Sequence, residues 1–280
     1  MKWDMEKKFD FKGRNMKIVV IAVLMIVVAQ ALIGTMSLSI VFNVTALQII
    51  FAGILISVFM SFPLEILTNT VKLVKESFTN DINYDETIHK IYELTVKIKK
   101  KGVLSIQAEI DQEENTFLRD AMILLNDYKR SDAIEDILDN DIESRQMNLY
   151  KCHNVLNMIA HIAPAFGLIG TLVGMIGLLA NISIPDQIMN NMAAALVSTL
   201  YGSLIANIIA VPLMARLKEH IEQRVLQYRI IKEGILLIAQ EDTARNVFDK
   251  MNVMLKEENR LIYPRRAQEE RKHESYEFKV

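Results

Sequence analysis

Two threonines, Thr171 and Thr199, stand in long apolar stretches with no acid or base beside them. A hydroxyl both donates and accepts a hydrogen bond, so a facing pair can line a narrow wet path for an ion. Each can equally bond to the carbonyl of the helical turn before it. Around Thr171, the glycines Gly167, Gly170, Gly174 and Gly177 step by three and four, which places them in one stripe on a helix. Such a stripe lets a second backbone approach closely where lipid removes the hydrophobic driving force. Thr199 stands among Ala193, Ala194, Ala195, Ser198, Gly202, Ser203, Ala206 and Asn207, small or polar in the same way. Pro164 and Pro212 flank the two stretches, and each removes a backbone donor. They read either as fixed kinks or as hinges.

A path for an ion through hydrocarbon normally carries an ionisable group at depth, which loads and releases the ion. None is present. Asp186 falls in a connector, and His161 lies near the edge of its apolar stretch. The chain therefore cannot complete an ion relay alone. No nucleophile and base pair, phosphate loop or metalloprotease motif occurs, so no enzyme and no cofactor are expected. His153 and His161 are too far apart for the i, i+4 ligand pair of a helical metal site. Cys152 is the sole cysteine, which excludes a disulfide framework, and no metal site is expected.

The elements that must hold these residues are membrane helices. Of 280 residues, 32 are Lys or Arg and 34 Asp or Glu, a near-neutral balance that argues against nucleic acid as a partner. These charges are unevenly placed. Ile18 to Leu64 contains none, and Cys152 to Ala215 contains only Asp186. A soluble globule needs charge on every surface element. A helix crossing about 30 Å of hydrocarbon needs roughly 20 apolar residues, so each block holds two spans. They are predicted near Ile18 to Thr35, Val44 to Phe62, Leu156 to Ala180 and Met189 to Met214. Lys2, Lys7, Lys8, Lys12, Arg14 and Lys17 precede the first span, whereas the connectors Met36 to Asn43 and Asn181 to Ile188 have no basic residue. The basic side stays in the cytoplasm, which puts both termini inside.

The expected fold class is all-α, a polytopic membrane protein with four transmembrane helices and helical cytoplasmic segments. Its parts are a basic segment 1–17, two spans within 18–62, a cytoplasmic loop 63–151, two spans within 152–214 and a cytoplasmic helix and tail 215–280. In the loop, Thr87 is predicted to cap a helix bearing Ile88, Ile91, Leu94 and Ile98, which ends at Lys99, Lys100 and Lys101 before Gly102. Ser131 precedes Ile134, Ile137, Leu138 and Ile142, a stretch expected to continue into the third span. Leu217, Ile221, Val225, Tyr228 and Ile235 mark a helix leaving the fourth.

The order of residues in APAFGLIGTLVGMIGLL at 163–179 and MAAALVSTLYGSLIANIIAVPLMARL at 192–217 resembles the MotA branch of the MotA/TolQ/ExbB proton-channel family. TALQIIFAGILISVFMSFPLEILTNTVKLVKESF at 45–78 is similar to that family's second span and its exit. KKKGVLSIQAEI at 99–110 occupies the place of its cytoplasmic motif. The resemblance implies a flagellar stator subunit of the bacterial inner membrane that couples proton or sodium flow to torque. It also implies a MotB-like single-span partner with an intramembrane aspartate, surrounded by several copies of this type of chain in a homo-oligomer embedded in the lipid bilayer. Thr171 and Thr199 match positions facing that aspartate, and Pro164 and Pro212 match prolines implicated in coupling. The 152–214 spans would then form the channel.

In the family, the loop meets a FliG-like rotor protein through a basic residue and a glutamate. The matching positions here are Lys99 and Gln107, so an amide replaces the acid. Lys100 and Lys101 can share the basic role, and Glu109 can supply an acid, although two residues turn a helix by about 200°. The three lysines equally suit the carboxyl end of a helix dipole. Other functions compatible with the same residues are a TolQ/ExbB-like or other non-flagellar ion-driven motor, and a non-conducting membrane scaffold.

Overall fold

The computed structural model describes residues 30, 43–79, 82–127, 130–180, 183 and 185–264. The basic segment 1–17, the tail 265–280 and, except for Gln30, the span predicted at 18–35 lie outside the described residues. Within them the chain is helical throughout and no strand occurs. The helices are α1 (Val44–Ser61), α2 (Leu64–Thr79), α3 (Tyr84–Lys101), α4 (Gln107–Gln112), α5 (Thr116–Asp127), α6 (Ser131–Ala180), α7 (Pro185–Leu204), α8 (Val211–Ala239) and α9 (Ala244–Val253). Among the described residues, three stretches are long and apolar enough to cross a membrane: Val44–Ser61, Ser131–Ala180 and Gln187–Ala239.

The chain divides into two compact units. One comprises Met1–Phe62 and Asn157–Val211. In it α1 starts at Asn43, whose Oδ1 accepts from the Ala46 amide at 3.0 Å, an N-cap that satisfies one orphan donor. Ala46, Ile50, Gly53, Ile54 and Val58 are buried on one face. The opposite face exposes Phe51, Leu55, Ile56, Phe59 and Met60. A helix apolar all round, with half its surface uncovered, belongs in lipid. Leu168, Leu172, Ile176 and Leu179 on α6, and Met192 and Leu196 on α7, are exposed in the same way.

The second unit comprises Pro63–Leu156 and Pro212–Val280 and has a water-soluble pattern. Its core packs Phe117, Phe248, Ile88, Ile91, Ile106, Ile134, Leu138, Ile230 and Ile235, all at most 1% exposed. Arg145 organises one edge. Its guanidinium donates to Asp141, Asp120 and Thr116 and lies over the rings of Phe117 and Tyr228. Burial alone would lower this guanidinium's affinity for its proton, but the hydrogen bond and charge of Asp141 raise it above its ordinary value. Gly102 ends α3 at φ 80°, a left-handed position that favours glycine.

Several local expectations are corrected. The cap of α3 is Asn83, not Thr87: Asn83 Oδ1 accepts from the Glu86 amide, and Thr87 sits inside the first turn and donates to the Asn83 carbonyl. Ile134, Leu138 and Ile142 are buried at i, i+4 and i+8, whereas Ile137 is 38% exposed because i+3 falls off that stripe. Between α7 and α8 the helix widens into a π turn, Ile205–Ala210, where the Val211 amide reaches the Ala206 carbonyl. Pro212 follows at once. It has no amide to donate, and its ring crowds the carbonyl one turn back, so an extra residue in that turn relieves the conflict. Pro164 lies inside α6, which continues through it without a break.

Candidate functional site

The polar centre of the apolar helices lies where α6 and α7 meet. Thr171 Oγ1 and Thr199 Oγ1 are 2.5 Å apart, and either can donate to the other. Thr171 Oγ1 is also 3.2 Å from the Gly167 carbonyl and 3.0 Å from that of Ala195. Thr199 Oγ1 is 3.4 Å from the Gly167 carbonyl. Two hydroxyl protons thus face two carbonyls and each other. One proton can lie between the threonines while the other is held by a carbonyl, and the order can reverse by rotating two hydroxyls. Both sequence readings meet in this geometry, since Thr171 reaches its own preceding carbonyl and the opposite helix at once.

The glycines make this approach possible. A Cβ on Gly167 would meet the Ser198 carbonyl oxygen at 3.0 Å, one on Gly170 would meet Ser198 Cβ at 2.5 Å, and one on Gly174 would meet Ala195 Cβ at 2.7 Å. At Gly177 the neighbour is the Asn191 side chain, at 3.3 Å. The whole stripe therefore faces α7 of the same chain. Its counterpart on α7 is Gly202, where a Cβ would meet the Ala163 carbonyl oxygen at 2.5 Å and the Gly167 Cα at 3.0 Å. Gly202 stood in the sequence as one small residue among many, and only its i, i+3 relation to Thr199 could have marked it. Gly53, on α1, lies under the ring of Phe166, a close approach that nothing in the local pattern announces.

No Asp or Glu occurs in α1, in 156–180 or in 187–214. His161 Nδ1 pairs with the Asn157 carbonyl at 2.7 Å. Among the described residues, no group of three or more His, Cys, Asp or Glu is placed to hold a metal.

The loop residues lie in the other unit. Lys99, Lys100 and Lys101 form the last turn of α3, and Lys99 Nζ donates to the Glu241 carbonyl at 3.2 Å. Gln107 is exposed at the start of α4. Glu109 is engaged: it accepts from Lys97 Nζ, which the sequence reading passed over. The Lys97 hydrogen bond holds the Glu109 carboxyl below its ordinary pKa. Glu109 and Lys99 are thus each already engaged, whereas Lys100 and Lys101 are exposed.

With a lowered folded pKa, the Glu109 to Lys97 contribution is present above the ordinary carboxylate pKa and is lost as pH falls through the folded value. The pair is partly exposed, so screening limits it to about 0 to 1 kcal/mol. Glu109→Gln should lower the thermal midpoint slightly at neutral pH, and this deficit should vanish on acidification below the carboxylate range. A deficit unchanged by acid would contradict the pairing.

Residues 109–230 match the model of the MotA/TolQ/ExbB proton channel family. The Motility protein A of Treponema phagedenis is 28% identical over 215 residues, 76% of this chain and 83% of that protein. The Chemotaxis protein PomA of Vibrio alginolyticus is 29% identical over 239 residues, 85% and 92% of the two chains. Among solved structures, that of C. jejuni MotAB superposes with a TM-score of 0.78 at 24% identity, covering 88% of this chain and 96% of that one, and so shares the fold.

Proposed function

We propose that the chain belongs to the MotA/TolQ/ExbB proton channel family, on its MotA side, and that it is a stator subunit of the bacterial flagellar motor which, with a MotB-like partner, forms an ion channel. It spans the inner membrane four times, with the segment near Ile18 to Thr35 as the first span and both termini in the cytoplasm. Several copies surround a single-span partner, whose intramembrane aspartate loads and releases the ion. The family conducts ions and the chain itself does no chemistry on a substrate.

The observation that carries this reading is the Thr171 and Thr199 hydroxyl pair at a glycine-lined helix crossing that holds no carboxylate. The pair offers oxygens to a proton or a sodium ion, and the group that binds the ion arrives on another molecule. One monovalent ion falling through about 100 mV releases roughly 2.3 kcal/mol. That suffices to change which of two packings is favoured when the aspartate is protonated. Pro164 and the π turn before Pro212 are the places where α6 and the α7 to α8 helix can bend with each step. The basic last turn of α3 meets a rotor protein, with Lys100 and Lys101 carrying the contact because Lys99 is bonded to Glu241 and Glu109 to Lys97.

The test is swimming in a strain lacking this chain. Restoration by the wild-type gene together with its partner, with sodium varied independently of pH, supports the reading. Full swimming without the chain would overturn it. The engagement of Glu109 favours a second reading, a non-flagellar motor of the same family, in which the partner remains and no rotor binds.

A further inference from the structure

Along α7 and into the π turn, every fourth residue is polar or a close-packed alanine: Asn191, Ala195, Thr199, Ser203 and Asn207. Such an i, i+4 row is one ridge of a helix, and it turns by about 40° at each step. At its first three positions the row lies against α6, where Asn191 meets Gly177, Ala195 meets Gly174 and Thr199 meets Thr171. The turn then carries it off that contact. Ser203 is half-buried and Asn207 exposed, whereas Ala206 keeps to the packed line at 2% exposure.

Asn207 stands eight residues beyond Thr199, about 12 Å along the helix, and nine before Arg216, so it lies inside the apolar stretch. Two of its oxygens lack a donor. The Val211 amide, which an α-helix would give to the Asn207 carbonyl, goes to Ala206 instead. The donor that a π turn would use is residue 212, a proline with no amide. The side-chain Nδ2 donates to the Ser203 carbonyl at 3.0 Å, which leaves Oδ1 with no partner among the described residues. In hydrocarbon such groups must be satisfied, and irregular backbone at that depth occurs where it is buried in protein or lines a water-filled cavity. Freed carbonyls of this kind coordinate cations in membrane carriers.

We propose that Asn207 is a second station on the ion path, where its main-chain and side-chain oxygens take the hydrated monovalent cation after it leaves the threonine pair. Ser203 stands between the two stations. The path follows this row out through the π turn and not the glycine-packed crossing, where Gly202 already lies against the α6 backbone. The inference rests on reading Thr171 and Thr199 as part of an ion path.

The full chain, co-expressed with its proposed single-span partner, tests this in native membrane vesicles. Asn207→Cys and Ile209→Cys are made in a Cys152→Ser background and treated with methanethiosulfonate ethylammonium. Ile209 is 53% exposed but about 200° away around the helix. The reagent attacks a thiolate, which needs water, so Asn207→Cys should label about tenfold faster than Ile209→Cys. Ser203→Cys replaces Asn207→Cys if the latter does not insert. In the same complex, Asn207→Leu should lower ion flux by about tenfold, and Asn207→Ser, which keeps an oxygen, should retain most of it. Labelling at the row no faster than at Ile209→Cys, or wild-type flux in Asn207→Leu, would overturn the inference. The labelling needs no flagellum: a chain whose row is wet but which restores no swimming fails as a flagellar stator and keeps this path.

Discussion

Thr199→Ala is expected to abolish or severely reduce ion-driven movement while the chain still enters the membrane in normal amount. The substitution removes one of two hydroxyls 2.5 Å apart and leaves Thr171 with carbonyls alone. No volume problem arises, since alanine is smaller and Thr199 is only partly buried. The loss is one hydrogen-bonding oxygen at the point where the proposed path would pass an ion or ordered water. A net hydrogen bond is worth about 1 to 1.5 kcal/mol, so ion flux through the assembled channel should fall by roughly tenfold. Thr199→Ser keeps the oxygen and should keep most of the flux. Thr171→Ala should behave like Thr199→Ala, and the double variant should be little worse than either single one, because the two hydroxyls act as a pair. Wild-type swimming in both single variants would remove the pair from the mechanism.

The second large effect is structural. Gly202→Ala places a methyl 2.5 Å from the Ala163 carbonyl oxygen and 3.0 Å from the Gly167 Cα. Both are backbone atoms of α6, so no rotamer change can make room, and the two helices must move apart. Overpacking of this kind costs typically about 1 to 3 kcal/mol, here at a crossing that also holds the threonine pair in register. A lower thermal midpoint in detergent, a smaller yield of assembled complex and loss of flux should appear together. Gly177→Ala is the control. The nearest neighbour of its new methyl is the Asn191 side chain, at 3.3 Å, which can shift by a few tenths of an ångström. It should retain assembly. Equal behaviour of the two variants would show that the crossing is looser than the distances indicate.

These residues differ in how far the sequence announced them. The apolar stretches and their helical character follow from charge distribution, which the membrane imposes directly. The step of three and four in Gly167, Gly170, Gly174 and Gly177 identified a face, because helical periodicity turns spacing into direction. What that face touches is a matter of register between two helices, so Gly202 and Asn191 emerged only from three-dimensional packing. The π turn at Ile205–Ala210 was hidden for a related reason. Pro212 announces a conflict with the preceding turn, but whether a helix answers by kinking, breaking or widening depends on its neighbours. Asn83 rather than Thr87 caps α3 because both are good capping types, and the choice rests on where the chain turns in from the preceding residues. The pairing of Glu109 with Lys97 joins α4 to α3 across the bend at Gly102, a contact that no local periodicity encodes.

The basic end of α3 shows the same division. A triplet of lysines is plain in the sequence, yet their availability is not. Lys99 is held by the Glu241 carbonyl at a residue with φ of 57°, at the turn that follows α8. That turn is fixed by packing of the second unit's core, far from the lysines in the chain.

The most direct test of the account is electrical. The purified chain, reconstituted alone in liposomes with a membrane potential, should carry no proton or sodium current, because none of the apolar stretches read as spans contains a carboxylate to bind and release the ion at depth, His161 lying near the edge of its stretch. Adding the proposed single-span, aspartate-bearing partner should produce current, and changing that aspartate to asparagine should abolish it. A robust, ion-selective current from this chain with no partner present would contradict the account at its centre.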